Sequence, residues 1–598
     1  MRASAAGLVL LGSLCFTQAV ATQAAAPTFN RDVAPLLWER CGACHRPGAS
    51  GPFSLLEYRD VVPRARQIAT AVRAGIMPPW LPEPGDAAFA NERRLATAEI
   101  DVIAQWVRQG AKQGDPADLP PPPQWTDGWQ LGTPDLVVSL PAPYQLARGE
   151  TDSFRAFVLP VSLAASRYVR GVEIRPGNPR VVHHASMAVD RTRGSRDLDA
   201  ADPAPGFAGG MISEGARSPE SRAIGWTPGM TAAFEPEGMA WRLDPGTDLV
   251  VQLHMLPPAG AGESVQPSVG LYFTDRAPTR LPMDFKLGSK IIDIPAGVTS
   301  YTIEDSVLLP VGVDVLSVYP HAHYLARQMT ATATLPDGRV QSLVRITEWD
   351  FHWQDEYRYQ SPLSLPAGTR VTMRFVYDNS AGNQNVRGRR PVAVRYGPRS
   401  SDEMGDLWLR LVPRTPDDYL ALARTYRAHE LGKDIAAGEA LVAERPADAR
   451  ARHALGLAYL GAGRLAEAVA QLNDALRLDP GHVEAHNNLG HALQLQERPS
   501  EALVQFREAA RLAPGNDVVR LNVANALQDV GEVAEAIAEY QATLALNPAS
   551  ADAHNGLGTA LAALGQFADA EQQFREALTL RPDHADAQRN LSQVLSLR

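Results

Sequence analysis

Cysteine is nearly absent, with three in 598 residues. A disulfide-stapled framework is excluded, so a chain this long must hold its fold by burying apolar surface. Basic residues are outnumbered as well. Lys and Arg total 57 against 67 Asp and Glu, a net charge of −10. That balance argues against a nucleic-acid or anionic-membrane partner, since either needs a basic face. Long apolar runs are confined to the first residues. Histidine is sparse at 14, and only His45, His183, His184, His254, His321, His323 and His352 precede residue 415. The rest of the composition is ordinary for globular protein: 45% hydrophobic and 21% charged. The length calls for three or four domains.

The N-terminus has the pattern of an export signal. Arg2 is the positive flank, Gly7 to Phe16 the apolar stretch, and Ala19-Val20-Ala21 a small-residue cleavage site, with Ala24-Ala25-Ala26 a second candidate. Residues 1–26 are therefore expected to be removed, leaving a periplasmic or secreted protein. Cys15 lies inside the apolar stretch, and Leu14 before it is too bulky for a lipoprotein-type site. It should leave with the signal; a retained anchor is the alternative. No later segment approaches the ~20 apolar residues of a membrane span.

Cys41-Gly42-Ala43-Cys44-His45 is the arrangement that attaches c-type haem through two thioether bonds, with the histidine presented to iron. A redox dithiol with a bystander histidine is the alternative. Met77, in Met77-Pro78-Pro79-Trp80, is the one methionine between Met1 and Met187, which makes it the candidate sixth ligand. An open sixth position is the other option. The apolar spacing of Ile100, Ile103, Ala104, Trp106 and Val107 predicts a helix over 97–109. Residues 27–117 are thus expected to form a small all-α cytochrome c domain. The Pro-rich stretch that begins at Gly114-Asp115-Pro116 and runs to Pro123 reads as a semi-rigid tether, with the linker placed at 118–129.

Beyond it the helical period gives way to short alternating strands broken by Pro/Gly turns. Thr330 to Leu335, Pro336-Asp337-Gly338 and Val340 to Ile346 are one such hairpin. Regular turn signals predict two antiparallel sandwiches, at 130–276 and 277–413. The lead-ins Asp244-Pro245-Gly246-Thr247 and Pro366-Ala367-Gly368-Thr369 echo one another. Three ligand-bearing clusters follow in order. His183 and His184 are adjacent, so their rings reach one ion only at a bulge or through different ring nitrogens. His254 stands alone on an apolar strand, where a histidine is ordinarily a satisfied core residue. His321 and His323, two apart at the end of the run Val311 to Val318, share a face of an extended chain. Ser401-Asp402-Glu403-Met404-Gly405 comes last.

The order His-His, strand His, His-x-His, Glu-Met resembles the copper type II, ascorbate-dependent monooxygenases, the peptidylglycine α-hydroxylating and dopamine β-monooxygenase enzymes. Trp349-Asp350-Phe351-His352-Trp353-Gln354 and Tyr377-Asp378-Asn379-Ser380 resemble bacterial members that carry a cytochrome c in front. The resemblance covers roughly residues 130–413 and implies jelly-roll-like sandwiches. It further implies that His183, His184 and His254 hold an electron-supplying copper, and that His321, His323 and Met404 hold the copper that activates O₂. A thioether beside two imidazoles favours Cu(I). The chain departs from the animal enzymes in having no disulfides. It also has Tyr319 where the peptide-hydroxylating member has an arginine that clamps a substrate carboxylate. His352 is left unassigned, a structural role being the more ordinary one.

Pro446, Pro480, Pro514, Pro548 and Pro582 recur at a fixed spacing, with Leu455-Gly456, Leu489-Gly490 and Leu557-Gly558 in step. That period resembles the tetratricopeptide repeat and predicts an α-solenoid over 416–598. Asp417 to Arg445 is expected as an imperfect opening helix pair, Pro582 onward as a capping helix, and the array's histidines as surface residues. Such arrays bind a protein or peptide on the concave face; docking back on the chain's own domains is the alternative.

These expectations combine into a multidomain copper monooxygenase. It would hydroxylate a C–H bond of a small-molecule or peptide substrate with O₂. Two copper ions and one covalent haem would carry electrons from ascorbate or another one-electron donor. The alternative is a non-catalytic haem/copper electron-transfer or copper-holding scaffold with a partner-binding repeat domain.

Overall fold

The computed structural model describes residues 26–597, except 48, 86, 124–127, 148–151, 193, 210–214, 220–223, 257–261, 387 and 389. The expected export signal, Cys15 included, lies outside the described residues apart from Ala26.

The first unit is helical. Ala34–Arg40, Ala65–Arg73 and Thr97–Arg108 close around Phe29, Leu37, Trp38, Ile68, Ile103 and Trp106. The predicted helix at 97–109 forms because its apolar positions recur on the face that covers Phe29 and Trp38. Trp106 Nε1–H donates to Lys112 O at 2.9 Å, and Asn30 Nδ2–H donates to Asp115 O at 2.8 Å. Lys112 and Asp115, the latter at the start of the Pro-rich stretch, are therefore tied back to the unit.

Between the second and third of these helices the chain crosses to another body and returns by Leu95. Phe89 bridges Tyr359, Ala90 N–H donates to Arg358 O at 2.7 Å, and Gln360 N–H to Ala88 O at 2.9 Å. Trp80 and Phe89 pack on Tyr357, with Phe89 buried in the core of the second sandwich. Residues 88–90 thus fall inside 27–117 by sequence but lie along a strand of another body.

Two antiparallel sandwiches follow. In the first, one sheet runs Phe207–Ala208, Ser153–Pro160, Asp248–Met255, Val182–Asp190, Ala216–Arg217. The facing sheet runs Leu136–Ser139, Ser268–Thr274, Arg167–Arg175, Trp241–Leu243. In the second, Met283–Gly288, Gly405–Pro413, Val313–Ala322 and Tyr357–Leu365 make one sheet. Tyr301–Leu308, Arg370–Tyr377, Ala326–Thr334 and Val340–Ile346 make the other. Each pair of sheets encloses its own apolar core. The hairpin around Pro336-Asp337-Gly338 forms as its turn residues require, with Gly338 at φ +85°. The two echoed lead-ins open Asp248–Met255 and Arg370–Tyr377.

The C-terminal region is a stack of paired helices from Ala449–Gly461 to Phe567–Leu580, closed by Ala585–Ser596 as expected. Small residues permit the close pairing: a Cβ on Gly490 would stand 2.6 Å from the Phe506 ring. Two expectations fail here. The opening segment is one 29-residue helix, Pro416–Glu444, rather than a pair. Its first half needs no helical partner because Leu422, Tyr419 and Tyr426 pack into the second sandwich. The array's histidines are also not exposed. His486 Nδ1 meets Gln505 Oε1 at 2.8 Å and His554 Nδ1 meets Gln573 Oε1 at 2.7 Å, so they link successive helices.

Candidate metal centres

The three-histidine cluster is built by two neighbouring strands and one irregularity. His254 lies opposite His184, but the next pairing is Met255 with Val182, so His183 is the extra residue of a β-bulge. That solves the geometric problem of adjacent histidines, which on a regular strand would face apart. Ligand atoms of His183, His184 and His254 lie within 4.8 Å of one another. His254 Nδ1 and His184 Nε2 are 3.1 Å apart. Two donors each about 2.0–2.1 Å from one ion sit about 3.3 Å apart in a tetrahedral site, so the spacing fits a shared metal.

The ring nitrogens are prepared for ligation. Asp152 Oδ1 accepts from His254 Nε2 at 2.8 Å, which leaves Nδ1 facing the cluster. Burial works against the charge of Asp152, but hydrogen bonds from Ser400 and His254 outweigh it and keep its pKa low. His183 Nδ1 is buried, and the Phe351 backbone beside it makes no well-aligned hydrogen bond. Burial, helped by His254, lowers the pKa of His183 to about 3 and carries His184 well below its usual range. Neutral imidazoles crowded together, one with an orphaned nitrogen, are a donor set for a cation.

The second cluster sits at the end of Val313–Ala322, where the strand predicted from Val311 to Val318 continues through His321. His321 pairs with Asp406 and Ala322 with Gly405, so the next residues outward are His323 and Met404. His323 N–H, Leu325 N–H and Met404 N–H all donate to the buried Glu403 carboxyl, at 2.5, 2.9 and 3.0 Å. Burial raises its pKa to about 8 in spite of those donors. Tyr377 Oη–H donates to Met404 O at 2.9 Å, and a Cβ on Gly405 would overlap that hydroxyl. The Met404 backbone is thereby fixed beside His323. His321 Nδ1 bonds Gln354 Oε1 at 2.5 Å and His323 Nδ1 bonds Asp402 O at 3.0 Å, so both rings present Nε2. Their centroids are 5.3 Å apart and their planes 87° apart. Burial takes His323 to about 3.

One loop touches both clusters. Phe351 stacks on His183 at 4.5 Å and meets the edge of His323 at 6.0 Å. Trp349 Nε1–H donates to His323 O at 3.0 Å. His352, unassigned from sequence, is exposed with its ring 5.9 Å from His183 and from Tyr324. It packs into no core; it borders the three-histidine cluster.

The haem-motif residues cluster at the end of Ala34–Arg40. His45 is 9% exposed, and its Nδ1 meets Phe53 O at 3.1 Å, leaving Nε2 available. Cys41 and Cys44 are free thiols, and burial raises Cys41 to about 12. Two thiols and an imidazole with one nitrogen engaged suit thioether and axial bonds to a haem. Met77 is half-buried and follows Ala65–Arg73; among the described residues no hydrogen bond or ring contact joins it to His45. Cys44 Sγ lies against Gly229 of the first sandwich, 2.8 Å from where a Cβ would stand.

Sequence reasoning missed Asp152, Phe351, Gln354 and Glu403 as supports of these centres. Asp152 also bonds Ser400, so one carboxylate joins the His254 strand to the Met404 loop. A cavity of about 520 Å³ lies between the sandwiches, lined by Trp226, Met230, Phe234, Arg358 and Arg410 among others. It reaches Ser317 but none of the six candidate ligands, so it is not where the clusters meet.

Comparison with known proteins bears on the helical array. The tetratricopeptide repeat family matches residues 420–483, 453–517, 521–585 and 557–595. That defines the class of the C-terminal region: it is a tetratricopeptide repeat domain behind antiparallel β-sheet bodies. No curated protein matches the chain. Among solved structures, YrrB, a TPR protein with an unusual peptide-binding site, is 23% identical, over 29% of this chain and 88% of its own, with a TM-score of 0.26. MamA is 21% identical, over 29% and 98%, with a TM-score of 0.25. PilF of Pseudomonas aeruginosa is 24% identical, over 25% and 68%, with a TM-score of 0.24.

Proposed function

We propose that this chain is an exported copper-dependent monooxygenase that hydroxylates a C–H bond of an organic substrate, fed by electrons through a c-type haem on its N-terminal unit. The observation that carries the reading is the pair of unlike donor sets that both meet Phe351. One has three imidazoles, and the other has two imidazoles with the Met404 backbone adjacent.

With copper in both sets, the bound metals supply two one-electron steps that, with O₂ and two protons, turn C–H into C–OH and water. The chain's own residues prepare that chemistry. His183, His184 and His254 stay neutral and hold the first ion, and Asp152 keeps the His254 proton on Nε2. Gln354 and the Asp402 carbonyl keep the protons of His321 and His323 on Nδ1, so both present Nε2 to the second ion. Met404 offers the soft thioether. Phe351 touches a ring of each set. Cys41 and Cys44 would anchor the haem vinyl groups, and His45 and Met77 would be its iron ligands. The repeat domain is a docking surface for a protein partner, supported by its helices beyond Glu444 bonding to one another rather than to the sandwiches among the described residues.

The test is isotope-labelled O₂ with the purified full chain and extract of the exporting compartment. Label is expected in one hydroxylated product. Met404→Ala should retain haem and the three-histidine copper and lose that product. Turnover unchanged in Met404→Ala would remove the assignment. Haem reoxidation by O₂ with no labelled product would favour the electron-transfer scaffold.

A further inference from the structure

Arg93, just before the helix Thr97–Arg108, meets both sandwiches. Arg93 donates from one terminal nitrogen to Asp355 Oδ2 at 2.7 Å and from the other to Gly229 O at 3.0 Å. Asp355 is 6% exposed, on the loop that ends the second cluster's support, and Gly229 follows the short strand Ile224–Trp226. That strand pairs Trp226 with Ala185, the residue after His184. One planar guanidinium therefore joins the two sandwiches, which a fork of fixed N–H vectors suits better than an ammonium.

The loop end it grips is the part that orients a candidate ligand. Gln354, next to Asp355, is 4% exposed. Its Nε2–H donates to Phe351 O at 3.0 Å, which fixes the amide so that Oε1 faces His321. His321 Nδ1 bonds that oxygen at 2.5 Å. The amide cannot turn without leaving either the carbonyl of Phe351 or the imidazole unpaired in a buried setting. Asp355 Oδ1 accepts from Glu356 N–H at 2.9 Å, so the carboxylate is set by backbone on one side and by Arg93 on the other.

We infer that Arg93 is a positioning residue. By holding Asp355 against Gly229, it makes the seating of the segment that leads into Thr97–Arg108 a condition for the Gln354–His321 hydrogen bond, and hence for the orientation and tautomer of His321. The inference rests on the reading of His321 as a ligand for its purpose, but its geometry stands without metal. Release of Arg93 would free the loop, and the ring that presents Nε2 would lose its partner.

The test uses the full chain with labelled histidine and no added copper, so neither metal nor turnover enters. The ¹⁵N resonances of the candidate ligand imidazoles are followed in wild type, Arg93→Gln and Arg93→Lys. A protected His321 Nδ1–H is expected in wild type. In Arg93→Gln its exchange with solvent should rise about tenfold or more, while His183 and His254 stay unchanged, and Arg93→Lys should recover part of the protection. A His321 signal unaltered in Arg93→Gln overturns the inference. The same change in all the imidazoles, which marks general loosening, overturns it too. Failure of the monooxygenase reading would show in the absence of labelled product and leaves this measurement untouched.

Discussion

His183, from the first sandwich, lies on Phe351 of the second, with ring centroids 4.5 Å apart and planes 19° apart. The same phenyl lies 6.0 Å from the His323 ring. One side chain, 2% exposed, is thus in contact with a ring of each cluster. Phe351→Leu keeps an apolar side chain of comparable bulk, so both clusters should load copper as before. Electron exchange between them, followed by freeze-quench after one-electron reduction, should slow by an order of magnitude or more. An unchanged rate would take Phe351 out of the account.

Asp152 fixes the tautomer of His254 and reaches Ser400 across the domain boundary. Loss of such a partner ordinarily lowers metal affinity about 10–100-fold. Asp152→Asn, made together with Met404→Ala so that one centre is read alone, should show that loss in competition against a Cu(I) chelator.

The pKa values of His183 and His323, each taken to about 3 by burial, give metal-free stability a pH dependence. These groups are neutral when folded and protonate near 6.5 when unfolded. Their contribution is therefore complete above 6.5 and is lost as pH falls toward 3, at up to about 1.4 kcal/mol per pH unit for each. Thermal midpoints of the copper-free chain should drop between pH 7.5 and 5. Copper should still bind at pH 5, because protons do not yet compete for these two rings.

Asp355 shows the opposite sign. Burial raises its pKa to about 6, and Arg93 pulls it down from a still higher value. A buried acid raised above its ordinary value stabilises the fold at low pH, and that contribution is lost as pH rises through about 6. Removing Arg93 raises the acid further. The penalty of Arg93→Ala on the thermal midpoint should accordingly be larger at pH 8 than at pH 5.

The opening helix of the repeat domain belongs physically to the second sandwich. Leu422 is fully buried in that core, Phe285 meets Tyr426 at 4.8 Å, and His429 Nε2 bonds Asp305 at 2.8 Å. Leu422→Ala should cost the sandwich about 2–5 kcal/mol. Ending the chain after Arg445 should leave its unfolding midpoint nearly unchanged, and ending it after Arg414 should lower it sharply.

What could be read from the sequence was whatever repeats or alternates locally. The proline period marks the helical stack, Pro336-Asp337-Gly338 marks a hairpin, and adjacency of His183 and His184 offered a bulge as one of two ways to bring both rings together, which the strand pairing contains. What could not be read are partners distant in the chain. Asp152 meets His254 at a separation of 102 residues and Arg93 meets Asp355 at 262, and neither residue stands in a local pattern that marks it. The opening helix was misjudged for the same reason. Its apolar residues look like those of a repeat, and only the sandwich surface shows why no second helix is needed.

The central claim is that the chain holds two metal sites of unequal softness, both in contact with Phe351. X-ray absorption at the copper edge of the Cu(I)-loaded chain tests it most directly. Two coppers per chain are predicted, with a sulfur neighbour at one of them that disappears in Met404→Ala. One copper per chain, or nitrogen and oxygen neighbours alone, would contradict it.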